Sequence, residues 1–441
     1  MLHFNKVTKA DTPAPATVDR YLVPPLQAWF AFAMTFALML FDYIDRQVIV
    51  SLFPHMKTDW GLSDKQLGGL VSVISLVVAI GGLPVALLAD RFSRVKSVVV
   101  MATIWSLATI SCMFSRSYGA LFAARACVGA GEAGYGSVGA ALIASLFPRR
   151  LRGMLLGAFF GAASLGSVLG VLIGGAVAAR WGWQAAFGVV GFPGLALALA
   201  YLLVRDYRTV DLHGATQSGT QHSLKTLVMR TVRTLLRTRT LVWVCLGAAM
   251  QLIVVSAIWS WLPSFLNRYH GVAPAQASLK AALVVLAGAV GSLTWGWTVD
   301  RLAKDRPQLR LSLVAVLCLL SMLIFVCAFG LAEPGAGQFQ LILVGGFVMA
   351  CTVGPISAVV FDVIHPAMRS TGAAVLSLAQ NLLGLAVGPF LTGWLSDLWS
   401  LQTALLLVPL TSLIAAFAFL RSTRSYDADM KAVAAIRISA D

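Results

Sequence analysis

Apolar residues gather along the chain into twelve runs, each long enough to cross a hydrocarbon core of ~30 Å, which takes about 20 helical residues. The runs fall near positions 26 to 50, 65 to 88, 97 to 114, 118 to 147, 153 to 178, 184 to 204, 240 to 266, 277 to 299, 310 to 331, 339 to 362, 371 to 395 and 402 to 420. This pattern predicts an all-α integral membrane protein with 12 transmembrane helices. The polar, Pro-rich opening MLHFNKVTKADTPAPATVDRYLVPP has no short apolar core followed by a small-residue cleavage site, so it reads as a tail and not as a signal peptide.

The longest polar stretch, DYRTVDLHGATQSGTQHSLKTLVMRTVRTLLRTRT, separates the sixth run from the seventh. The expected organisation is a tail at 1 to 25, a six-helix bundle at 26 to 205, a linker at 206 to 239, a second six-helix bundle at 240 to 421 and a tail at 422 to 441. Within the linker, Leu224, Leu227, Val228, Val232, Leu235 and Leu236 recur at helical spacing among Lys225, Arg230, Arg233 and Arg237. Such a basic amphipathic helix suits the surface of an anionic leaflet and, equally, plain solvent. The two bundles repeat each other's punctuation. ADRFSRVK at 89 to 96 is answered by VDRLAK at 299 to 304, and FPRRLRG at 147 to 153 by HPAMRSTG at 365 to 372. Gly166 and Gly170 recur as Gly384 and Gly388, both 218 positions on. Together these marks predict two pseudo-symmetric halves of the kind transporters are built from.

Charge gives the predicted helices a direction. Only 12% of the 441 residues are charged, against roughly a quarter in an average soluble chain, and 59% are hydrophobic. A net charge of +15 raises nucleic acid as a partner, but the basic residues alternate by side. Loops on one face hold 25 of the 33, the opposite loops hold six (Lys57, Lys65, Arg116, Arg180, Arg268 and Lys280), and only Arg46 and Arg125 remain. By the positive-inside rule the basic face, with both termini, is cytoplasmic, and nucleic acid is not the partner. The compact loops suggest a bacterial inner membrane, and a monomer is expected. The six cysteines sit inside predicted helices without C-x-x-C spacing, and the six histidines are scattered through tails and loops. Neither a disulfide framework, a metal site nor a cofactor is signalled.

Candidate chemistry concentrates in two helices. RACVGAGEAGYGSVGAALIASLF, from Arg125 to Phe147, carries Gly129, Gly131 and Gly134 at the G-x-G-x-x-G spacing of a dinucleotide loop. That reading fails on context: the motif lies within a membrane-spanning run, and after Glu132 the next acid is Asp206. A nucleotide-dependent membrane enzyme is thereby disfavoured, and a non-transporting receptor or scaffold is disfavoured by charges at membrane depth. Asp42, Asp45 and Arg46 in FDYIDRQ share one face of the first helix at i, i+3, i+4, while Arg125 and Glu132 lie two turns apart on the fourth. At ~1.5 Å per residue, Asp45 and Arg125 both lie about 10 Å from the outer ends of their helices, with Asp42 and Glu132 at about 15 and 20 Å. The two faces can therefore meet near the midplane. Charges at that depth cost at least ~2.5 kcal/mol each and usually work in the bundle interior, although a purely structural ion-pair cluster is the alternative.

The chain resembles the major facilitator superfamily over nearly its full length. The family's loop between helices two and three reads roughly G-x-x-x-D-R-x-x-R-R/K; Asp90, Arg91, Arg94 and Lys96 match, while Ala86 replaces the glycine. Gly296, Asp300 and Arg301 match in the second half. The resemblance implies the major facilitator fold and a cytoplasmic gate of Asp90, Arg91, Arg94, Asp300 and Arg301 that latches the halves, with simple helix capping as the alternative. Tyr43, Asp45, Arg46, Arg125, Gly129, Gly131, Glu132, Ala133 and Tyr135 resemble the spinster-like branch, with Asp42 in place of its Asn. The organic-anion:proton symporter branch is also similar but usually has Pro where this chain has Gly134. In the fifth helix Gly157, Gly166, Gly170, Gly174 and Gly175 follow the glycine pattern of proton antiporters, but Val171 stands where the Pro belongs, so helix packing is the commoner explanation.

These features predict a proton-coupled secondary transporter of a small or amphiphilic organic anion working by alternating access. An exporter of lysolipid or another amphiphile by proton antiport is the second reading. Arg46 and Arg125 offer fork-shaped donors to a carboxylate or phosphate, with Tyr43 and Tyr135 beside them. Glu132 is expected to carry the proton, with Asp45 or Asp42 as partner. The second half offers Gln251, Trp259, Thr352, Gln380 and Asn381 to the substrate, although for any one of them core packing or interfacial anchoring is the commoner use.

Overall fold

A computed structural model of the chain describes residues 21–206, 238–364 and 369–438, and these are helical almost throughout. The first half comprises α1 (Pro25–Val48), α2 (Phe53–Trp60), α3 (Asp64–Arg91), α4 (Arg94–Met113), α5 (Tyr118–Glu132), α6 (Tyr135–Leu146), α7 (Arg149–Trp181) and α8 (Trp183–Ala200). The second comprises α9 (Arg239–His270), α10 (Pro274–Leu302), α11 (Leu309–Gly330), α12 (Ala336–Met349), α13 (Val353–Asp362), α14 (Arg369–Ala379), α15 (Val387–Leu398), α16 (Leu401–Leu407) and α17 (Thr411–Ile438). Eleven stretches among the described residues are long and apolar enough to cross a membrane. The twelfth crossing is α5 with α6, whose separate lengths of 15 and 12 residues each fall short. The expected basic helix of the linker lies outside the described residues.

Two expectations about continuity are corrected. The fourth crossing is not one helix: it breaks at Ala133 and Gly134, immediately after Glu132, where Gly134 takes φ of 82°, a left-handed value that glycine adopts freely. Nor does the last crossing end near 421. It runs on to Ile438 without a breaker, and the extension docks on the basic face. There the Tyr426 hydroxyl donates to Asp362 at 2.9 Å, and Asp429 accepts from the backbone N–H of Thr240 at 2.8 Å, capping the start of α9. The eleventh crossing contains a π-helical turn at Gln380–Leu385, which nothing in the local sequence announces.

Glycines make the seams. A Cβ at Gly166, Gly170 or Gly174 of α7 would lie 2.5 to 2.6 Å from the carbonyl oxygens of Leu40, Ile44 and Val48, so α1 and α7 touch backbone to backbone over two turns. In the second half a Cβ at Gly384 would meet the Ala249 carbonyl at 3.1 Å, and one at Gly388 the Ile253 carbonyl at 2.7 Å. The glycines sit 218 positions apart and the carbonyls they face 209 apart, for both pairs. The repeated spacing in the sequence is thus a repeated helix contact.

The halves meet at the face opposite the basic loops. Each half has a hydrophobic core of its own, around Trp105 and Tyr135 in the first and around Phe419 and Tyr426 in the second. A third core toward the opposite face draws on both, with Phe53 against Trp261 at 5.1 Å between ring centres. Asp64, 2% exposed at the start of α3, ties this seam. Its carboxylate accepts two bonds from Arg268 of α9, at 2.6 and 2.7 Å, one from Lys57 at 2.6 Å and one from Ser396 of α15. In exchange Asp397 of α15 accepts from the first N–H groups of α3, those of Asp64 and Lys65, each at 2.8 Å. A charge cluster and a helix cap supplied by the other half therefore close the same seam.

Two outcomes follow. Gly170→Ala pushes against the Ile44 carbonyl and should cost about 1–3 kcal/mol, lowering the thermal midpoint in detergent, whereas Gly157→Ala, with open space around it, should not. Asp64→Ala strands Arg268 and should open the seam, so that a thiol reagent labels Phe53→Cys several-fold faster in an otherwise cysteine-free protein.

Candidate functional site

The midplane charges of α1 and α5 do come together. Residues four apart on α1 place the Arg46 Nε 3.2 Å from Asp42, and the same guanidinium reaches across to α5, with Nη2 2.9 Å from Glu132 Oε2. That second contact is an ion pair without hydrogen-bond alignment, and neither Glu132 oxygen receives a hydrogen bond. Asp42 adjoins Glu132 as well, so two acids flank one guanidinium. Two turns closer to the opposite face, Arg125 Nη1 lies 3.5 Å from the Asp45 carboxylate and 3.3 Å from the Asp45 carbonyl.

Close helix approach brings these residues into contact. A Cβ at Gly129 would lie 2.9 Å from the Ile74 carbonyl of α3, and one at Gly131 2.5 Å from the Trp105 nitrogen of α4. Both glycines let α5 sink between its neighbours, and Glu132, the next residue, goes in with it. At Gly134 the chain passes against Gly82 and Ala86 of α3, and the helix restarts. The glycine motif is thus a packing device with a helix break at its end.

Burial sorts the members by role. The side chains of Glu132, Arg125, Asp45 and Asp42 keep 5% exposure or less, whereas that of Arg46 keeps 17%. Arg46 is the member that solvent reaches, and its guanidinium also lies over the Tyr43 ring at 5.3 Å. Arg125 does not reach the same surface: it is fully buried behind Asp45, with the Phe187 ring 6.0 Å away, and its Nε and Nη2 have no hydrogen-bond partner. Tyr135 is likewise fully buried, donating to the Thr35 carbonyl at 2.7 Å and packing edge-on against Trp105.

The second half is less well represented. Gln251 is satisfied inside its own bundle, donating to Ser321 and to the Met349 carbonyl, both at 3.2 Å, and accepting from Ser412 at 2.8 Å. It is fully buried and offers nothing to a ligand. Trp259 packs near Gly288 with its indole N–H buried and unpartnered, and Thr352 sits at the break between α12 and α13. Gln380 and Asn381 open the π-helical turn, where Asn381 donates to the Ser377 carbonyl at 2.9 Å. Among the described residues no contact joins any of these to the five-charge cluster.

At the basic face, the side chains of Asp90 and Arg91 lie outside the described residues. Arg94 donates to Ser145 at 2.9 Å, and Asp300 pairs with Arg310, which also holds Asp362 at 2.8 Å. Arg301 lies over the Trp297 ring. Each of these described contacts joins residues of one half. The charged tie between the halves at the opposite face, Asp64 with Arg268 and Asp397, escaped sequence reasoning. Its one available signal was an acid at each of two helix ends on a face where charges are few.

Comparison with known proteins agrees with this geometry. A family model described as Major Facilitator Superfamily matches residues 35–385. The chain is 26% identical to zebrafish protein spinster homolog 3, covering 95% of this chain and 89% of the relative. It is 26% identical to the mouse sphingosine-1-phosphate transporter SPNS2, covering 88% and 76%, and 26% identical to a probable L-galactonate transporter of Escherichia coli K12, covering 89% of each. Among solved structures, a bacterial homologue of the human lysosomal transporter Spinster, in an inward-facing and unoccupied conformation, superposes with a TM-score of 0.81 at 21% identity, over 92% of this chain and 99% of that one. The charged pair of α1, the acid of α5, the duplicated glycine seams and the family match together make the chain a multi-pass secondary transporter of the Major Facilitator Superfamily.

Proposed function

We propose that this protein is a proton-coupled symporter of a small organic anion, a carboxylate or phosphate bearing molecule, that works by alternating access. One observation carries the reading: three carboxyls, Asp42, Asp45 and Glu132, share two guanidiniums, Arg46 and Arg125, in a buried cluster. A single proton brings the cluster to neutrality. Glu132 and an anionic substrate compete for Arg46, the member solvent reaches. A proton on Glu132 releases Arg46 to the substrate anion, so proton and anion bind best together. Tyr43 shapes the site beside Arg46, with Trp259, Thr352, Gln380 and Asn381 facing it from the second half in the closing movement. Arg125 holds Asp45 in place. With the basic face in the cytoplasm of a bacterial inner membrane, the Asp64 seam seals the outer side.

The sugar-acid relative, a probable L-galactonate transporter, supports a carboxylate as substrate. The sphingosine-1-phosphate transporter favours the second reading, export of a phosphate-bearing amphiphile. Competition between Glu132 and the substrate for one arginine favours symport over antiport, because antiport needs the proton to expel the anion.

In proteoliposomes Glu132→Gln should abolish accumulation driven by a pH gradient yet keep counterflow of labelled substrate; unchanged accumulation sinks the proposal. A thermal-shift screen over sugar acids, aromatic carboxylates and lysolipids should return an acid that stabilises the wild type more at low pH than at high, and that no longer stabilises Arg46→Ala.

A further inference from the structure

The five charges of the cluster do not pair off evenly. Arg125 and Asp45 face each other as one base and one acid, 3.5 Å apart and both buried. What remains is one guanidinium between two acids, with the Arg46 Nε 3.2 Å from Asp42 and its Nη2 2.9 Å from Glu132. The excess negative charge therefore falls on these three residues and not on Asp45. The Asp42 side chain keeps 5% exposure and that of Glu132 none, so water does little to stabilise a second negative charge there.

Among the described residues nothing else balances that charge. The Tyr43 ring lies beneath the Arg46 guanidinium, and Tyr135 of α6, which stands near Asp42, donates its hydroxyl to the Thr35 carbonyl with Tyr201 bonded to the Thr35 hydroxyl behind it. The α4 helix brings the Cys112 thiol, beside Arg125 and Asp45. Residues 67–89, 97–113 and 153–179, from the helices packed around α1 and α5, include no charged side chain, and neither do 240–267, 281–299 and 370–396 of the second half. Glu132 adjoins Asp42, yet neither Glu132 oxygen receives a hydrogen bond. Ionised carboxylates only accept, and two of them buried side by side repel. One proton turns that repulsion into a hydrogen bond.

We propose that Asp42 and Glu132 share one proton beside Arg46, so that Asp42 is a second proton-carrying residue of the site and the pair holds the proton while no anion is bound. Arg46 decides where it rests. An anion that takes Nη2 from Glu132 leaves Nε on Asp42, one turn away on the same helix, and Asp42 keeps its negative charge. The shared proton then settles on Glu132. That movement breaks an O–H bond on Asp42 and forms one on Glu132, and no other bond changes. Without an anion the two acids titrate as a unit, in steps that belong to neither alone. The inference rests on the proton-coupled reading above and adds which acid partners Glu132.

Infrared spectroscopy of the purified, substrate-free protein at neutral pH, in a detergent without ester groups, tests it. The wild type should show a protonated-carboxyl band that moves in heavy water, and Asp42→Asn and Glu132→Gln should each lose it, because either change leaves one acid to one guanidinium. A lone carrier loses its band in one variant only. A band that survives Asp42→Asn at wild-type intensity puts the proton on Glu132 alone, which overturns the shared pair and leaves the coupled reading standing. One that survives Glu132→Gln overturns both. Where thermal midpoints show that a variant does not fold, the wild type decides: aspartate and, separately, glutamate isotopically labelled at the side-chain carboxyl should each displace part of the band. A band that labelled aspartate leaves in place overturns the shared pair. A wild type without any such band overturns the coupled reading and the shared proton together.

Discussion

Five ionisable groups lie deep in the first half, and each would be expensive in lipid on its own, at least ~2.5 kcal/mol even on lenient scales. Much of the surrounding architecture serves to bring them together. Arg46 must reach Asp42 and Glu132 at once, and Arg125 must reach Asp45, so α1 and α5 have little freedom in register. Glycine seams on either side enforce that register: Gly129 and Gly131 seat α5 against α3 and α4, and the Gly166, Gly170 and Gly174 stripe seats α7 along α1. The helix carrying Glu132 ends one residue later, at a break that Gly134 makes possible. Packing therefore does for these charges what water does at a surface.

The second half repeats the backbone logic without the chemistry. Its glycine stripe meets the corresponding carbonyls at matching offsets, and its tenth crossing breaks at Thr352, 218 positions after Gly134. Yet where the first half buries charges, the second buries Gln251 in a neutral, fully bonded setting. Duplication thus preserved how helices touch and left the side chains free to diverge. One half holds the ions and the other supplies a neutral wall, a division that suits a carrier whose halves must part and close repeatedly around one charged site.

The opposite face shows how such halves are held without being fused. Asp64 accepts from cations of both halves, and Asp397 caps a helix of the half it does not belong to. Both contacts are short, and each is made of polar groups that can take up hydration when the seam opens. The apolar layer beneath, with Phe53 against Trp261, excludes water while the seam is shut. At the basic face the described ion pairs, Arg310 with Asp300 and with Asp362, bind helix ends within the second half.

Membrane class, the duplicated glycine spacing, the sidedness of charge and the five candidate charges were all legible in the sequence. Each follows from local rules: apolar length against bilayer thickness, periodicity on a helix, and the cost of charge in hydrocarbon. The equal depth of Arg125 and Asp45 was legible too, because depth along a helix is counted from its end. Only the tertiary structure decided which charge faces solvent and which stands behind, because burial depends on neighbours contributed by distant segments. It buried Arg125, Tyr135 and Gln251 completely, and it broke the fourth crossing where apolar continuity suggested a single helix. The Asp64 seam was invisible for the same reason: an acid at a helix end gains its meaning from what lies across from it.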